Sequence, residues 1–257
     1  MSAPRVVLVT GGTRGIGAAI AAAFLAEGDA VVVCGRREPE ELPSAGDRVA
    51  EFVAADVREA EGAAAAVEAV LAAHGRIDLL VNNAGGTAPG PAAEMSPRSA
   101  AAVVNLNLLA PFLVAQRANA AMQEQEGGGL IINVGSTGAR RPAPGTALYA
   151  AAKAGLHGLT RALALEWGPK VRVNQVTPGP VETPGSARHY GGEEAFAAAS
   201  GAIALERFAR PEDVADACLL LASPRAAYVS GAELHVDGGG ETPGWLVAIE
   251  ALDRPPR

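Results

Sequence analysis

The stretch "RVVLVTGGTRGIG" runs from Arg5 to Gly17 and combines two signals. It opens with an unbroken apolar run, Val6 to Val9, and closes on a turn rich in glycine. An apolar run without alternation marks a strand covered on both faces, as in a parallel sheet. Glycines at the strand's end let the backbone come close to a pyrophosphate, and a helix starting there offers it free N–H groups. The spacing is T-G-x-x-x-G-x-G on Thr10, Gly11, Gly15 and Gly17, not the commoner G-x-G-x-x-G.

Apolar runs and segments of helical length succeed one another along the rest of the chain. Further strands are expected at 30–35, 49–54, 77–81, 130–135, 171–176 and 232–236, and helices at 15–28, 59–74, 97–125, 147–168 and 211–222. Strand–helix repetition of this kind predicts an α/β fold: a Rossmann-type doubly wound parallel sheet of about seven strands, with helices on both faces. No charge-rich linker divides it, so one domain is expected over 1–240. The breakers in "PGPVETPGS" and "ARHYGGEE" predict an irregular segment over 178–200, with a substrate lid at about 184–200. Residues 241–257 read as a C-terminal tail.

Composition narrows the function. The chain has 257 residues, 49% of them apolar, and a net charge of -7, with no basic block to attract nucleic acid. Neither a signal peptide nor a membrane span is found, so a cytoplasmic protein with no membrane partner is expected. Cys34 and Cys218 are too few for a disulfide framework and lie among apolar neighbours. No metal site is expected.

Five further motifs follow the glycine loop in order: "DV" at Asp56–Val57, "NNAG" at Asn82–Gly85, "YAAAK" at Tyr149–Lys153, "PGPVET" at Pro178–Thr183, and "VDGG" beginning at Val236. Singly, "NNAG" and "PG" could be turns, Asp56 a helix cap, and Tyr149 with Lys153 an exposed helix pair. As an ordered set, the chain resembles the short-chain dehydrogenase/reductase family in its shorter, single-domain branch, and is similar to 3-oxoacyl-carrier-protein reductase-like members. The resemblance covers nearly the whole chain up to Glu241. It implies a dinucleotide site built from Gly11, Thr13, Arg14, Gly15, Ile16 and Gly17, then Arg36 and Arg37, Asp56 and Val57, and Asn83, Ala84 and Gly85. Pro178, Gly179, Val181 and Thr183 would complete it around the nicotinamide, together with Tyr149 and Lys153.

"YAAAK" also carries a signal of its own. The chain has 21 basic side chains, and Lys153 and Lys170 are its two lysines. Tyr149 and Lys153, spaced i and i+4, share one helix face. A positive charge ~5 Å from a phenol, at an effective dielectric of about 20, favours the phenolate by ~3 kcal/mol, roughly two pKa units. Lysine, a compact charge with rotatable donors, suits that task and can hold ribose hydroxyls too. The resemblance implies that Ser136 holds the substrate oxygen and that Asn107 holds a water for proton relay. Asn105 is nearby, but the phase of "NLLAPF" favours Asn107.

The implied activity is hydride transfer between a nicotinamide and a ketone or secondary alcohol, with Tyr149 as general acid/base. Alternatives are a catalytically silent dinucleotide sensor, an NAD-dependent alcohol dehydrogenase working oxidatively, and an extended-branch epimerase, for which too few residues follow the sixth strand. NADP(H) is expected in preference to NAD(H). The second strand ends "VVVCGRR", placing Gly35 where a 2′-hydroxyl-binding acid would sit, and Arg36, Arg37 and Arg14 beside a 2′-phosphate. The lid offers Arg188, His189, Tyr190, Glu193 and Glu194 to a small-molecule substrate. Arg140 and Arg141 read as solvated loop charges or contacts for an acidic carrier. A homotetramer is expected, mainly from the resemblance.

Overall fold

The computed structural model describes residues 4–86, 89–183, 186 and 191–252. Seven parallel strands form the central sheet: β1 (Val6–Thr10), β2 (Ala30–Gly35), β5 (Glu51–Ala54), β6 (Leu79–Asn82), β7 (Gly129–Val134), β8 (Val171–Pro178) and β9 (Glu233–Val236). Their order is β5-β2-β1-β6-β7-β8-β9. The order reverses beside β1, so a crevice opens at the carboxyl ends of β1 and β6, where doubly wound sheets bind ligands.

Each strand presents alternate residues to the two faces. Val6 and Leu8 pack with α2 (Ala60–His74) and α4 (Ala110–Glu124) through Val67, Val70, Val114 and Met122. Val7 and Val9 pack with α1 (Gly15–Ala26) and with the helix Pro211–Ala222 through Ile20, Phe24, Val214 and Cys218. Both faces are dry, which is why β1 reads as apolar without alternation.

Four features differ from the sequence reading. The stretch 49–54 divides: Ser44–Ala45 (β3) and Arg48–Val49 (β4) form a small antiparallel hairpin, and β5 begins only at Glu51. Gly46, at φ +59°, makes that turn possible. The helix expected at 97–125 becomes α3 (Pro97–Val104), a π-turn (Asn105–Leu109) and α4. The unit Pro97–Glu124 is apolar and long enough to cross a membrane by length and composition, with 28% of its most apolar window buried. Part of 178–200 is regular, since Glu193–Gly201 forms α6. Gly191 and Gly192 (φ +95° and +109°) stop short of "EEAFAAAS", whose alanines favour a helix and whose leading glutamates suit its N-terminus. Past α7 (Pro211–Ala222) and β9, the tail folds into α8 (Gly244–Leu252). Of the expected lid, Arg188, His189 and Tyr190 lie outside the described residues.

Candidate active site

The glycine loop is locked to the end of β6. The Thr10 hydroxyl accepts from the backbone N–H groups of Asn83 (3.1 Å) and Ala84 (3.0 Å). The Asn83 amide donates to the carbonyls of Thr10 and Gly11, both at 3.0 Å. Asn83 therefore acts on the loop's shape. A Cβ on Gly17 would come within 2.4 Å of both the Asn83 amide nitrogen and the Gly11 carbonyl. Gly15, at φ +55°, faces open space. The α1 N-terminus has no side-chain cap from Arg14 and no acid in its first turn. Uncapped N–H groups beneath an open glycine loop fit a pyrophosphate.

At the end of β2, a Cβ on Gly35 would meet the Thr13 methyl at 3.3 Å. Arg14, Arg36 and Arg37 are exposed and, among the described residues, enter no ion pair. Glu38, Glu40 and Glu41 likewise make none with them. Arg58 grips Asp56 at 2.5 Å, and its hydrogen bond, with a smaller contribution from Arg36, holds the Asp56 carboxyl below the usual range. Arg36 is thus within electrostatic reach of Asp56.

Four side chains gather at the other end of the crevice. Ser136 caps the start of the turn after β7 (Thr137–Ala139), and Tyr149 and Lys153 lie one turn apart on α5 (Ala147–Glu166). Ser136 Oγ and the Tyr149 ring face each other across Gly138, whose Cβ position lies 3.2 Å from the first and 3.5 Å from the second. The Lys153 Nζ lies 5.9 Å from the Tyr149 ring centroid and donates to the Val134 carbonyl at 2.8 Å. A Cβ on Gly85 would stand 3.0 Å from Asn107 Oδ1 and 3.3 Å from Lys153 Nζ, so the end of "NNAG" meets both groups.

Asn107 sits fully buried in the π-turn. Its Oδ1 accepts from the Gly86 N–H (3.0 Å), and its Nδ2 donates to the carbonyls of Gly86 (2.8 Å) and Val103 (2.9 Å). Both amide hydrogens are occupied. The main-chain carbonyl is a different matter, because Pro111, four residues on, has no N–H to give it. The Ala110 N–H reaches Asn105, five residues back. A π-turn of this kind re-aims backbone groups and is frequent at functional sites.

A family model described as enoyl-(acyl carrier protein) reductase matches residues 11–241. A 3β-hydroxysteroid dehydrogenase of Eggerthella lenta is 38% identical, covering 91% of this chain and 93% of its own. A 3-oxoacyl-(acyl-carrier-protein) reductase of Thermotoga maritima is also 38% identical, over 91% and 97%. The solved short-chain dehydrogenase/reductase of Serratia marcescens aligns with a TM-score of 0.81 at 32% identity, over 91% and 97%.

The chain belongs to the short-chain dehydrogenase/reductase family. It is an oxidoreductase of that family, whose members bind a nicotinamide dinucleotide. In this family member, burial raises the Tyr149 phenol above its ordinary value, and the Ser136 hydrogen bond offsets only part of that. The expectation that Lys153 draws the phenol down is therefore not met in the chain alone. The physical reason is mutual burial, which also pulls the Lys153 ammonium down to about 8. A lysine half neutral near pH 8 brings only part of a charge.

The reading of the two loop arginines changes with their surroundings, and that of the cysteines does not. Arg140 pairs with Glu233, and Arg141 with Asp237 (2.8 Å) and with Glu241, so neither is a free loop charge. Cys34 and Cys218 are buried, and burial pushes both thiols up to about 12, as inert core residues. The sequence reading missed the chain Asn82–Asn133–Thr160, whose side-chain bonds at 2.9 Å tie β6, β7 and α5 together beneath the site. Three polar residues in otherwise apolar elements were its available signal.

Proposed function

We propose that this protein is an NADP(H)-dependent reductase of ketones, equally able to oxidise secondary alcohols, with Tyr149 as general acid/base. The observation that carries this reading is a linked set: Asn107 and Lys153 meet at Gly85, Lys153 lies beside the Tyr149 ring, and Tyr149 and Ser136 flank Gly138. The glycine loop and uncapped α1 would hold the pyrophosphate, Asp56 and Val57 the adenine, and Pro178 to Thr183 the nicotinamide end. Bound there, the nicotinamide supplies the hydride.

In reduction, the Ser136 hydroxyl orients the carbonyl oxygen and Tyr149 Oη gives it a proton. The raised phenol pKa keeps that proton in place until it is needed. Lys153 holds ribose hydroxyls and favours the phenolate that remains. The Asn107 main-chain carbonyl, to which Pro111 has no N–H to give, would position a water that returns the proton. The substrate class is a neutral carbonyl or alcohol, and the 3-oxoacyl and hydroxysteroid relatives bracket its size. The direct test is turnover of NADPH with acyl thioesters, quinones and cyclic ketones. A protein that binds NADPH yet oxidises it with none of these would be a sensor instead.

The buried lysine sets a pH dependence. Its ammonium is charged below about pH 8 and neutral above it. The kcat/KM for NADPH, which reports groups of the free enzyme, is expected to be level at lower pH and to fall as pH rises through about 8. A profile level to pH 9.5 would place the functional lysine pKa elsewhere.

The protein is also proposed to be a homotetramer. Leu109 and Leu165, on the helical units Pro97–Glu124 and α5, are 45% and 88% exposed, and α3 buries none of its residues. Apolar helix faces of this kind call for a partner. Light scattering at micromolar concentration should give four times the chain mass, and a monomer would refute the assignment.

A further inference from the structure

The loop from Thr137 to Thr146 joins the two groups that hold the substrate oxygen. Its own bonds are local: Arg140 and Arg141 donate their N–H groups to the Thr137 carbonyl at 2.9 Å, and Thr146 Oγ1 donates to Ala143 at 2.7 Å. Pro142 and Pro144 contribute no donors. Outward polar bonds among the described residues are the Gly90 N–H to the Gly145 carbonyl (3.1 Å) and the ion pairs of Arg140 and Arg141.

Those arginines reach a specific place. Arg140 meets Glu233, a carboxylate only 6% exposed. Glu233 also accepts from Thr177 Oγ1 at 2.8 Å, and His157 and His235 stand 3.3 and 3.4 Å from it, the His157 ring without hydrogen-bond geometry. Arg141 spans Asp237 and Glu241 across Gly240. A Cβ on Gly240 would lie 2.5 Å from the Arg141 Nη1, and φ there is +85°, so a glycine clears the guanidinium's path. The segment that Arg141 grips is paired in turn with the chain leaving the lid helix. Ala204 donates to Gly240 (3.1 Å), Leu205 to Gly238 (3.1 Å) and Thr242 to Ala202 (2.7 Å). Helix α6 ends at Gly201, immediately before. Gly179, in the "PGPVET" loop, packs its Cα against Asp237 and donates to Val236 at 3.0 Å.

We propose that Arg141 is a positioning residue: it ties the loop between Ser136 and Tyr149 to the segment that seats the lid helix, so that lid and catalytic loop are held in one register. Arg140 and Glu233 brace the same loop from β9. The role rests on the reading of Ser136 and Tyr149 as the catalytic pair. Arg141 acts through Asp237 and Glu241 rather than on the reacting atoms. Because Arg141 is 41% exposed, its pairs contribute little to global stability, and its effect is geometric.

The test compares Arg141→Ala and Arg141→Lys with wild type, and with Arg117→Ala, which breaks a surface pair with Glu68 on another face. In Arg141→Ala, kcat/KM for the carbonyl should fall about tenfold to a hundredfold, as expected of misplaced reacting groups. The NADPH dissociation constant should hold, and the melting temperature should stay within about 4 °C of wild type. Arg141→Lys should recover part of the loss, since one ammonium can still reach a carboxylate. Hydrogen–deuterium exchange without substrate should quicken at both 137–146 and 202–205 in Arg141→Ala. Unchanged exchange at 202–205, or kcat/KM equal to that of Arg117→Ala, overturns the proposal. A wild type that reduces no carbonyl would overturn the functional reading instead, and the exchange experiment would still decide the tie.

Discussion

Tyr149→Phe is expected to lower kcat by about 10²–10⁴-fold, the range a positioned general acid supplies, while leaving fold and cofactor binding in place. The substitution removes one oxygen from a largely enclosed ring. The aromatic body keeps its place beside Lys153, and Ser136 keeps the bond it accepts from the Gly138 N–H at 3.1 Å. What disappears is the proton source, and neither Ser136 nor the lysine can replace it. Lys153 already points its Nζ at the Val134 carbonyl, and a serine hydroxyl is far too weak an acid to act near neutrality. The measurement is kcat for NADPH-driven reduction, with NADPH affinity and melting temperature as controls. If the phenylalanine variant turns over within about fivefold of wild type, far short of that range, the proton comes from another group and the assignment of Tyr149 is wrong.

Residues near one another in sequence were legible, and those joined only by the fold were not. Val6 to Gly17 disclosed strand, turn and helix together, because a two-face-buried strand and a glycine loop leave local marks. Tyr149 and Lys153 were legible for the same reason: helical geometry alone puts i and i+4 together. The π-turn was hidden inside a run that reads as one helix. Its signal was Pro111, whose missing N–H must disturb the ladder at Asn107. Arg140 and Arg141 looked like solvated charges because Glu233, Asp237 and Glu241 are some ninety or a hundred positions downstream and meet them only once β9 joins the sheet. The phenol was misjudged for a related reason. Sequence disclosed the charge beside it but not the burial that acts on both groups.

The choice of dinucleotide is the remaining large effect, and it falls on one side chain. Wild type is expected to prefer NADPH over NADH in kcat/KM, and Arg36→Ala to lose most of that preference. An acid at the end of β2 would bind a ribose 2′-hydroxyl and repel a 2′-phosphate. Gly35 stands there, and it is spatially constrained: a Cβ would press within 3.3 Å of the Thr13 methyl. Basic side chains flank it. Arg36 and Arg14 are exposed and unpaired among the described residues, and Glu38, Glu40 and Glu41 do not neutralise them. Arg36 also lies close enough to Asp56 to help hold that carboxyl below its usual range, which puts it on the adenosine side of the crevice. A charge-assisted hydrogen bond from one guanidinium contributes about 1.5–3 kcal/mol, or roughly ten- to 150-fold in kcat/KM. Arg36→Ala should therefore cut efficiency with NADPH by that factor and leave NADH nearly unchanged. Arg14→Ala should do the same to a smaller extent, because Arg14 shares the phosphate from the glycine loop. The contact faces solvent, so added salt should narrow the wild-type preference. A wild-type ratio near one, or a ratio that Arg36→Ala leaves intact, would mean that the arginines after β2 are surface charges and that the ribose is read by other groups.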